Sequence, residues 1–123
     1  MRILVIITCA ALLLPGSVAA DLLDLPQTAK ERCDPIEYAE LKDMPEDALG
    51  KVYCETERLA VRRAEQADFA GKMANIDPRG GAFARRDAFE RYAAQCKEQT
   101  KRVGDIYARL FGRTATCTRN PAA

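Results

Sequence analysis

Two long stretches of the chain place apolar side chains at helical spacing. In the segment from Phe83 to Phe111, apolar and small residues recur every three or four positions and fall within an arc of about 100° on a helix. The members of this face are Phe89, Tyr92, Ala93, Cys96, Thr100, Val103, Tyr107, Leu110 and Phe111. A single face of this width predicts a helix that packs against one neighbour.

The segment from Pro45 to about Ala74 carries a wider apolar surface, made of two stripes that lie about 140° apart on a helix. The stripe of large residues contains Val52, Leu59, Phe69, Met73 and Ile76. The small-residue stripe contains Ala60, Ala64, Ala67, Gly71 and Ala74. Because a helix that is apolar over this width contacts two neighbours, the pattern predicts a central helix in an antiparallel three-helix arrangement.

Capping and turn residues set the boundaries of the predicted helices. Asp34 as N-cap, Pro35 at the first position and Glu37 at the third predict a short first helix that ends near Lys42. Residues 75–81 contain five turn residues, Asn75, Asp77, Pro78, Gly80 and Gly81, and Gly112 is suited to cap the third helix. No segment alternates like a strand. The predicted fold class is therefore all-α, a small antiparallel three-helix arrangement with one short helix and a long helical hairpin.

Residues 1–20 have the pattern of a secretory signal peptide. Arg2 precedes an uncharged stretch of about a dozen residues, and Val18-Ala19-Ala20 supplies a small-residue cleavage site. A membrane anchor is the alternative, but a span needs about 20 apolar residues. We expect residues 1–20 to be the signal peptide, residues 21–112 the helical domain and residues 113–123 a C-terminal tail, in a periplasmic or secreted protein.

Four cysteines remain after residue 20, and they indicate two disulfides. Cys33, Cys54, Cys96 and Cys117 are an even number in a small exported domain. A zinc site is the alternative, but such sites take ligands in close pairs, and no two of these cysteines are closer than 21 positions. Equal distances from the expected turns predict the pairs Cys33–Cys54 and Cys96–Cys117.

Charge divides the chain into an acidic front and a basic back. Residues 21–57 carry 4 basic and 11 acidic side chains, and residues 58–123 carry 14 basic and 7 acidic ones. Either the halves pack together or the molecule presents two poles to a charged partner. We expect residues 21–44 to cover the small-residue stripe and to bring acidic groups, Glu37 and Glu40 among them, towards Arg58, Arg62 and Arg63.

The residue types that are missing exclude most catalytic chemistry. The chain has no histidine, and its one serine, Ser17, lies in the predicted signal peptide. Ser-His-Asp and Cys-His catalysis and imidazole metal ligands are therefore excluded. The cysteines are too far apart for a C-x-x-C motif, so redox chemistry of that kind is excluded as well. Glu37 and Glu40 lie about one helical turn apart and leave only carboxylate-dependent hydrolysis as an enzymatic alternative. We expect neither an enzyme nor a cofactor.

Arginine and lysine supply the candidate partner-binding residues. Arg63 lies within the apolar arc of the central helix, either as an internal residue with its charged end at the edge or as a contact for a partner. Lys72, Arg79, Arg85 and Arg86 surround the predicted hairpin turn, together with Asp77 and Asp87. This cluster either keeps the turn soluble or meets an acidic protein, anionic lipid or cell-wall polymer.

These observations favour an exported binding or accessory protein, such as an inhibitor, an immunity partner or a subunit of an envelope complex. Its expected partner is another envelope or secreted protein. The alternative is a structural helical module that forms a homodimer, and a carboxylate-dependent envelope hydrolase is the weakest interpretation. Export and the near balance of charge disfavour nucleic acid as a partner, and no transmembrane segment is expected after signal cleavage.

Overall fold

The computed structural model describes residues 24–118, which contain four helices and no strands. α1 (Ala29–Arg32) and α2 (Tyr38–Lys42) are short, whereas α3 (Glu46–Ile76) and α4 (Ala82–Phe111) are 31 and 30 residues long. The two long helices pack against each other as an antiparallel hairpin, and α1 and α2 lie against α4. The predicted all-α fold, with a long hairpin and two disulfides, is confirmed.

Buried positions recur every seven residues on both long helices. On α3 they include Leu49, Thr56, Arg63 and Ala70, and on α4 they include Ala82, Phe89, Cys96 and Val103. This spacing keeps one seam of each helix facing the other along the whole hairpin, as in a coiled coil. The seam is therefore regular, although its residue types change from one end to the other.

Large apolar side chains are concentrated at one end, here called the base, where α3 begins and α4 ends. The core of the base contains Leu41, Leu49, Val103, Ile106, Tyr107 and Ala115, with Ile36, Met44, Val52, Tyr53 and Phe111 packed around it. Nearer the turn the core contains Ala67, Ala70 and Phe89. The base therefore buries much more apolar area than the other end, and apolar burial is the main source of stability.

The front of the chain forms a helical turn that the pattern did not predict. Thr28 caps α1 by accepting the backbone N–H of Glu31 at 3.1 Å. Cys33 ends α1 in the left-handed conformation, with φ of 57°. The predicted helix start at Asp34 is wrong, because the Asp34 carboxylate accepts bonds from Arg32 and Gln95, both at 3.0 Å, and α2 begins only at Tyr38. Two side-chain donors thus engage this carboxylate, and the pair with Arg32 is charged on both sides.

The four predicted cysteines form two disulfides, but the predicted pairing is wrong. The bonds are Cys33–Cys96 and Cys54–Cys117, with Cα–Cα distances of 4.9 and 5.6 Å. Cys33 does not face Cys54 because α2 is too short to extend the expected hairpin back to residue 33. The segment containing Cys33 lies on α4 instead.

The return of the chain after α4 explains the second disulfide. Gly112 caps α4 in the left-handed conformation, as predicted, with φ of 70°. Gly104 marks the level of Cys54, because a Cβ on Gly104 would lie 3.0 Å from the ring of Tyr53. From Gly112 that level is about 12 Å away along the helix, well within the roughly 17 Å that five extended residues reach. Cys96 is about 24 Å away, so Cys54 is the nearer partner.

The segment after Gly112 is also held by an acid–base contact. Glu46 Oε1 accepts bonds from Tyr107 Oη at 2.7 Å and from Arg113 Nε at 2.6 Å, and it also contacts Arg113 Nη2. Ala115 is buried in the core of the base. Residues 113–118 of the predicted tail therefore pack along the start of α3, whereas residues 119–123 lie outside the described residues.

The front segment, residues 24–44 of the described chain, does not cover the small-residue stripe of α3, so the expectation that it would do so is wrong. Ile36 and Leu41 join the core of the base, whereas Tyr38 and Ala39 are exposed. Within residues 24–118, Glu37 and Glu40 form no ion pair with an arginine of α3. Because the Cys33–Cys96 bond fixes the front segment at mid-hairpin and the chain then runs towards the base, it cannot reach the part of the stripe nearer the turn.

The disulfide pairing has a direct chemical test. Peptide mapping without reduction is expected to link Cys33 to Cys96 and Cys54 to Cys117. Each bond closes a 63-residue separation, so replacing either pair by serine should lower the free energy of unfolding by roughly 3–4 kcal/mol. A Cys33–Cys54 peptide, or full stability without either bond, would contradict this structure.

The Glu46 contact makes stability depend on acid pH. Hydrogen bonds from Arg113 and Tyr107 lower the pKa of Glu46 below its ordinary value of 4.5. A lowered folded-state pKa stabilises the fold above the ordinary value, and the contribution is lost as the pH falls through the lowered one. We expect Glu46→Gln to weaken the loss of stability on acidification, measured by urea unfolding from about pH 6 to about pH 2.

Two further variants control this measurement. Glu57→Gln, an exposed glutamate of α3, should leave the acid profile unchanged. Asp34→Asn should also flatten the profile, because the hydrogen bond from Arg32 lowers the pKa of Asp34. Equal profiles for Glu46→Gln and the unmodified protein would show that the Arg113 contact does not form in solution.

Candidate docking surface

Arg63 lies at the middle of the hairpin and joins the front segment to α3. Its residue is 5% exposed. Nε and Nη2 donate to the backbone carbonyl of Glu31 at 3.2 and 2.8 Å, and Nη1 donates to Gln66 Oε1 at 2.7 Å. The carbonyl of Glu31 belongs to the last turn of α1, where carbonyls have no intrahelical partner. Arg63 therefore supplies the missing donors for α1.

The guanidinium of Arg63 remains charged in this position. Burial lowers the pKa of Arg63 from its ordinary value, and the neighbouring charge of Arg62 adds to the effect, while Glu31 opposes it. An arginine side chain does not deprotonate in a folded protein. Because its donors are engaged inside the molecule, Arg63 is an internal anchor, and the interpretation of this residue as a partner contact is not retained.

Other polar side chains complete the same mid-hairpin layer. Gln99 Nε2 donates to the backbone carbonyl of Asp34 at 3.4 Å, and Thr56 donates within its own helix. Among residues 24–118, every fully buried side-chain nitrogen or oxygen has a hydrogen-bond partner. Apolar periodicity did not find Thr56, Gln66 or Gln99, although the seven-residue spacing from Leu49 to Ala70 includes Thr56 and Arg63.

The four other candidate cations are brought together at the opposite end from the base. We define the tip as residues 72–87, which comprise the end of α3, the connecting turn and the start of α4. The turn is ordered locally, since Asp77 accepts the backbone N–H groups of Arg79 and Gly80, and Gly81 has φ of 76°. The connecting turn at the tip is therefore held by its own hydrogen bonds.

Two large apolar side chains are exposed on this tip. Ile76 is 77% exposed at the last position of α3, and Phe83 is 38% exposed in the first turn of α4. Ile76 lies just before the connecting turn in the chain, and Phe83 lies just after it. Arg86 lies over the ring of Phe83, with Cζ 5.0 Å from the ring centre. The tip therefore combines apolar and cationic groups on one small surface.

The cations of the tip differ in how they are paired. Lys72 contacts Asp68 at 3.1 Å, and Arg86 contacts Asp87 at 3.2 Å. In the described part of the chain, the side chains of Arg79 and Arg85 form no ion pair within 4.0 Å. Exposed pairs of this kind are worth only about 0–1 kcal/mol, so the paired cations also remain able to meet an external anion.

A groove of about 530 Å³ runs beside the tip, between α3 and α4. Its floor is formed by the small residues that the front segment leaves uncovered, Ala64, Ala67, Gly71 and Ala93. Its rim is polar and carries both signs of charge, with Asp68, Lys72, Asn75, Arg86 and Glu90. The side chain of Arg86 closes part of it, 3.4 Å from where a Cβ on Gly71 would lie.

No family model, curated protein or solved structure matches this chain. None of the helices within residues 24–118 is long and apolar enough to cross a bilayer. The same residues contain no group of three or more histidine, cysteine, aspartate or glutamate side chains placed to hold a metal ion.

Glu37 and Glu40 are the two carboxylates of the hydrolase alternative. Glu37 precedes the first residue of α2 and Glu40 lies within it, and both side chains are exposed. General acid–base work depends on a positioned and environmentally tuned carboxyl group. The tip exposes apolar and cationic side chains together and is therefore taken as the candidate functional surface.

The role of Arg63 as an internal anchor predicts a large and specific loss of stability. Arg63→Ala leaves the Glu31 carbonyl without its donors and should cost roughly 2–3 kcal/mol in the free energy of unfolding. Arg62→Ala, the exposed neighbour on α3, should change it by less than about 0.5 kcal/mol. Urea unfolding of the oxidised variants measures both, and equal effects would contradict the anchor role.

Proposed function

We propose that this chain is an exported binding or accessory protein that docks through the tip of its helical hairpin. The main support for the proposal is that the disulfides and the packed chain segments are confined to one part of the hairpin. Both disulfides, the front segment and residues 113–118 hold the base and the middle, whereas the tip extends about 22 Å beyond Cys96 without any of them. Its exposed apolar and cationic side chains give this free end a surface that a partner can bind.

Export is part of this proposal, and two observations support it. Two disulfides fit an oxidising compartment such as the bacterial periplasm or the extracellular space. The signal-peptide pattern of residues 1–20 supports the same location, and those residues, Cys9 included, lie outside the described residues. An inhibitor, an immunity partner or a subunit of an envelope complex are the functional classes that fit a small braced helical protein with one free end.

Self-association is the second candidate, and the groove beside the tip favours it. Its floor of Ala64, Ala67 and Gly71 would allow a helix of a second copy to approach closely. Its rim carries both signs of charge on each helix, Asp68 and Lys72 on α3 and Arg86 and Glu90 on α4. In a two-fold dimer the rim of one copy would meet the same rim of the other, and opposite charges could then pair. Light scattering during size exclusion separates this candidate from docking of a different partner.

Site-specific crosslinking tests the docking proposal. A photoreactive amino acid at Phe83 should crosslink the oxidised protein to a component of an envelope fraction that contains membranes and exported proteins. The same group at Lys51, an exposed position of α3 near the base, is the matched control and should give little product. Equal products from both positions, or none from either, would contradict docking through the tip. A product of twice the chain mass would favour the homodimer.

A further inference from the structure

We propose that the tip docks on an anionic lipid surface, with Ile76 and Phe83 inserted at the level of the headgroups. This inference rests on the proposed function, because it names the partner of the same tip. Residues 72–87 contain Lys72, Arg79, Arg85 and Arg86 but only two carboxylates, Asp77 and Asp87. Cations around exposed apolar side chains are the composition that binds the interface of an anionic membrane.

The exposed side chains have the positions that shallow insertion requires. Ile76 and Phe83 lie at the ends of the two helices that meet at the turn, so both are close to the furthest point of the hairpin. Phe83 carries the guanidinium of Arg86 against its ring. An aromatic ring beside a cation suits the boundary between headgroups and acyl chains, where one side is apolar and the other is wet.

The charges of the tip leave positive groups free for phosphate headgroups. Asp77 is engaged within the turn, where it accepts the backbone N–H of Arg79 at 3.2 Å. Asp87 contacts Arg86. Arg79 and Arg85 form no ion pair in the described part of the chain, and arginine binds phosphate oxygens through paired donors.

The shape of the tip favours a lipid surface over an acidic protein. The tip is the narrow end of the hairpin, a short turn between two helix ends, so a protein partner would have to enclose it to bury both Ile76 and Phe83. A fluid bilayer needs none, because headgroups move apart around an inserted side chain. An acidic protein that binds the tip is therefore the outcome that would replace this inference, and the test separates the two.

The distribution of charge along the molecule orients it in the same direction. The acidic front, residues 21–57, has 11 acidic and 4 basic side chains. Its described part lies at the middle and base of the hairpin, away from the tip. Outside the tip, residues 24–71 and 88–118 carry 15 acidic and 13 basic side chains, because basic residues of the long helices lie beside the acidic front, whereas the tip has 2 acidic and 4 basic side chains. An anionic surface therefore attracts the tip more than the rest of the molecule.

Vesicle flotation measures the interaction with the full oxidised chain. We expect binding to vesicles of phosphatidylcholine with about 30% phosphatidylglycerol, little binding to phosphatidylcholine alone, and a marked loss at about 1 M salt, where charges are screened within roughly 3 Å. Arg79→Gln with Arg85→Gln should weaken binding by about fivefold per cation. Lys101→Gln with Arg109→Gln removes the same charge from exposed positions of α4 towards the base and should have little effect.

A fluorescent reporter tests insertion separately from electrostatic attraction. The chain has no tryptophan, so a single introduced indole reports on its own position. Phe83→Trp should show a blue-shifted emission on the anionic vesicles. Val61→Trp, at another exposed apolar position of α3, should show none. Thermal unfolding of each variant establishes that the fold is retained.

The possible outcomes decide the inference and keep it distinct from the proposed function. Absence of vesicle binding, equal binding to neutral vesicles, or equal losses from the tip and base charge variants would each overturn lipid docking. If vesicles fail while position 83 crosslinks an acidic protein, the inference is wrong and the proposed function stands. If vesicles fail and position 83 gives no product, both are wrong.

Discussion

The attachment of the Glu31–Asp34 segment to the middle of the hairpin is the constraint on which the rest of the structure depends. Cys33 is bonded to Cys96, and the carbonyls on either side of it accept bonds from Arg63 and Gln99. From this point the chain has one way to run, along α4 towards the base. It therefore delivers Ile36 and Leu41 to the core of the base, whereas Ala67 and Ala70 nearer the turn pack with Phe89 of α4 instead.

This attachment divides a continuous hairpin into two halves of different character. The base combines large apolar side chains, a disulfide and the contact of Glu46 with Arg113. Nearer the turn the core relies on Ala67, Ala70 and Phe89, and alanines bury little area. Local opening is favoured where few apolar contacts hold a segment. The half of the hairpin nearer the turn is therefore held by fewer large apolar contacts than the base.

The pattern of apolar and turn residues predicts some features of this structure correctly and leaves others open. The ends of the long helices, the cap at Gly112 and the buried face with Phe89, Cys96, Val103 and Tyr107 follow from periodicity and turn chemistry. The grouping of Lys72, Arg79, Arg85 and Arg86 followed from their closeness to one turn. Arg63 was placed in the apolar arc, but its partner could not be inferred, because a backbone carbonyl of α1 leaves no mark in the residue types.

Periodicity, capping residues and cysteine number determined an all-α hairpin with two disulfides, because these are local properties of a helix or simple counts. Tertiary structure alone decided which cysteines meet, where the front segment lies and where a groove stays open between the long helices. Those outcomes depend on distances between elements remote in sequence, and on the competition for Asp34 between Arg32, Gln95 and the backbone. Because α2 begins at Tyr38, the chain follows a different path from the predicted one, and both disulfide pairs differ from the prediction.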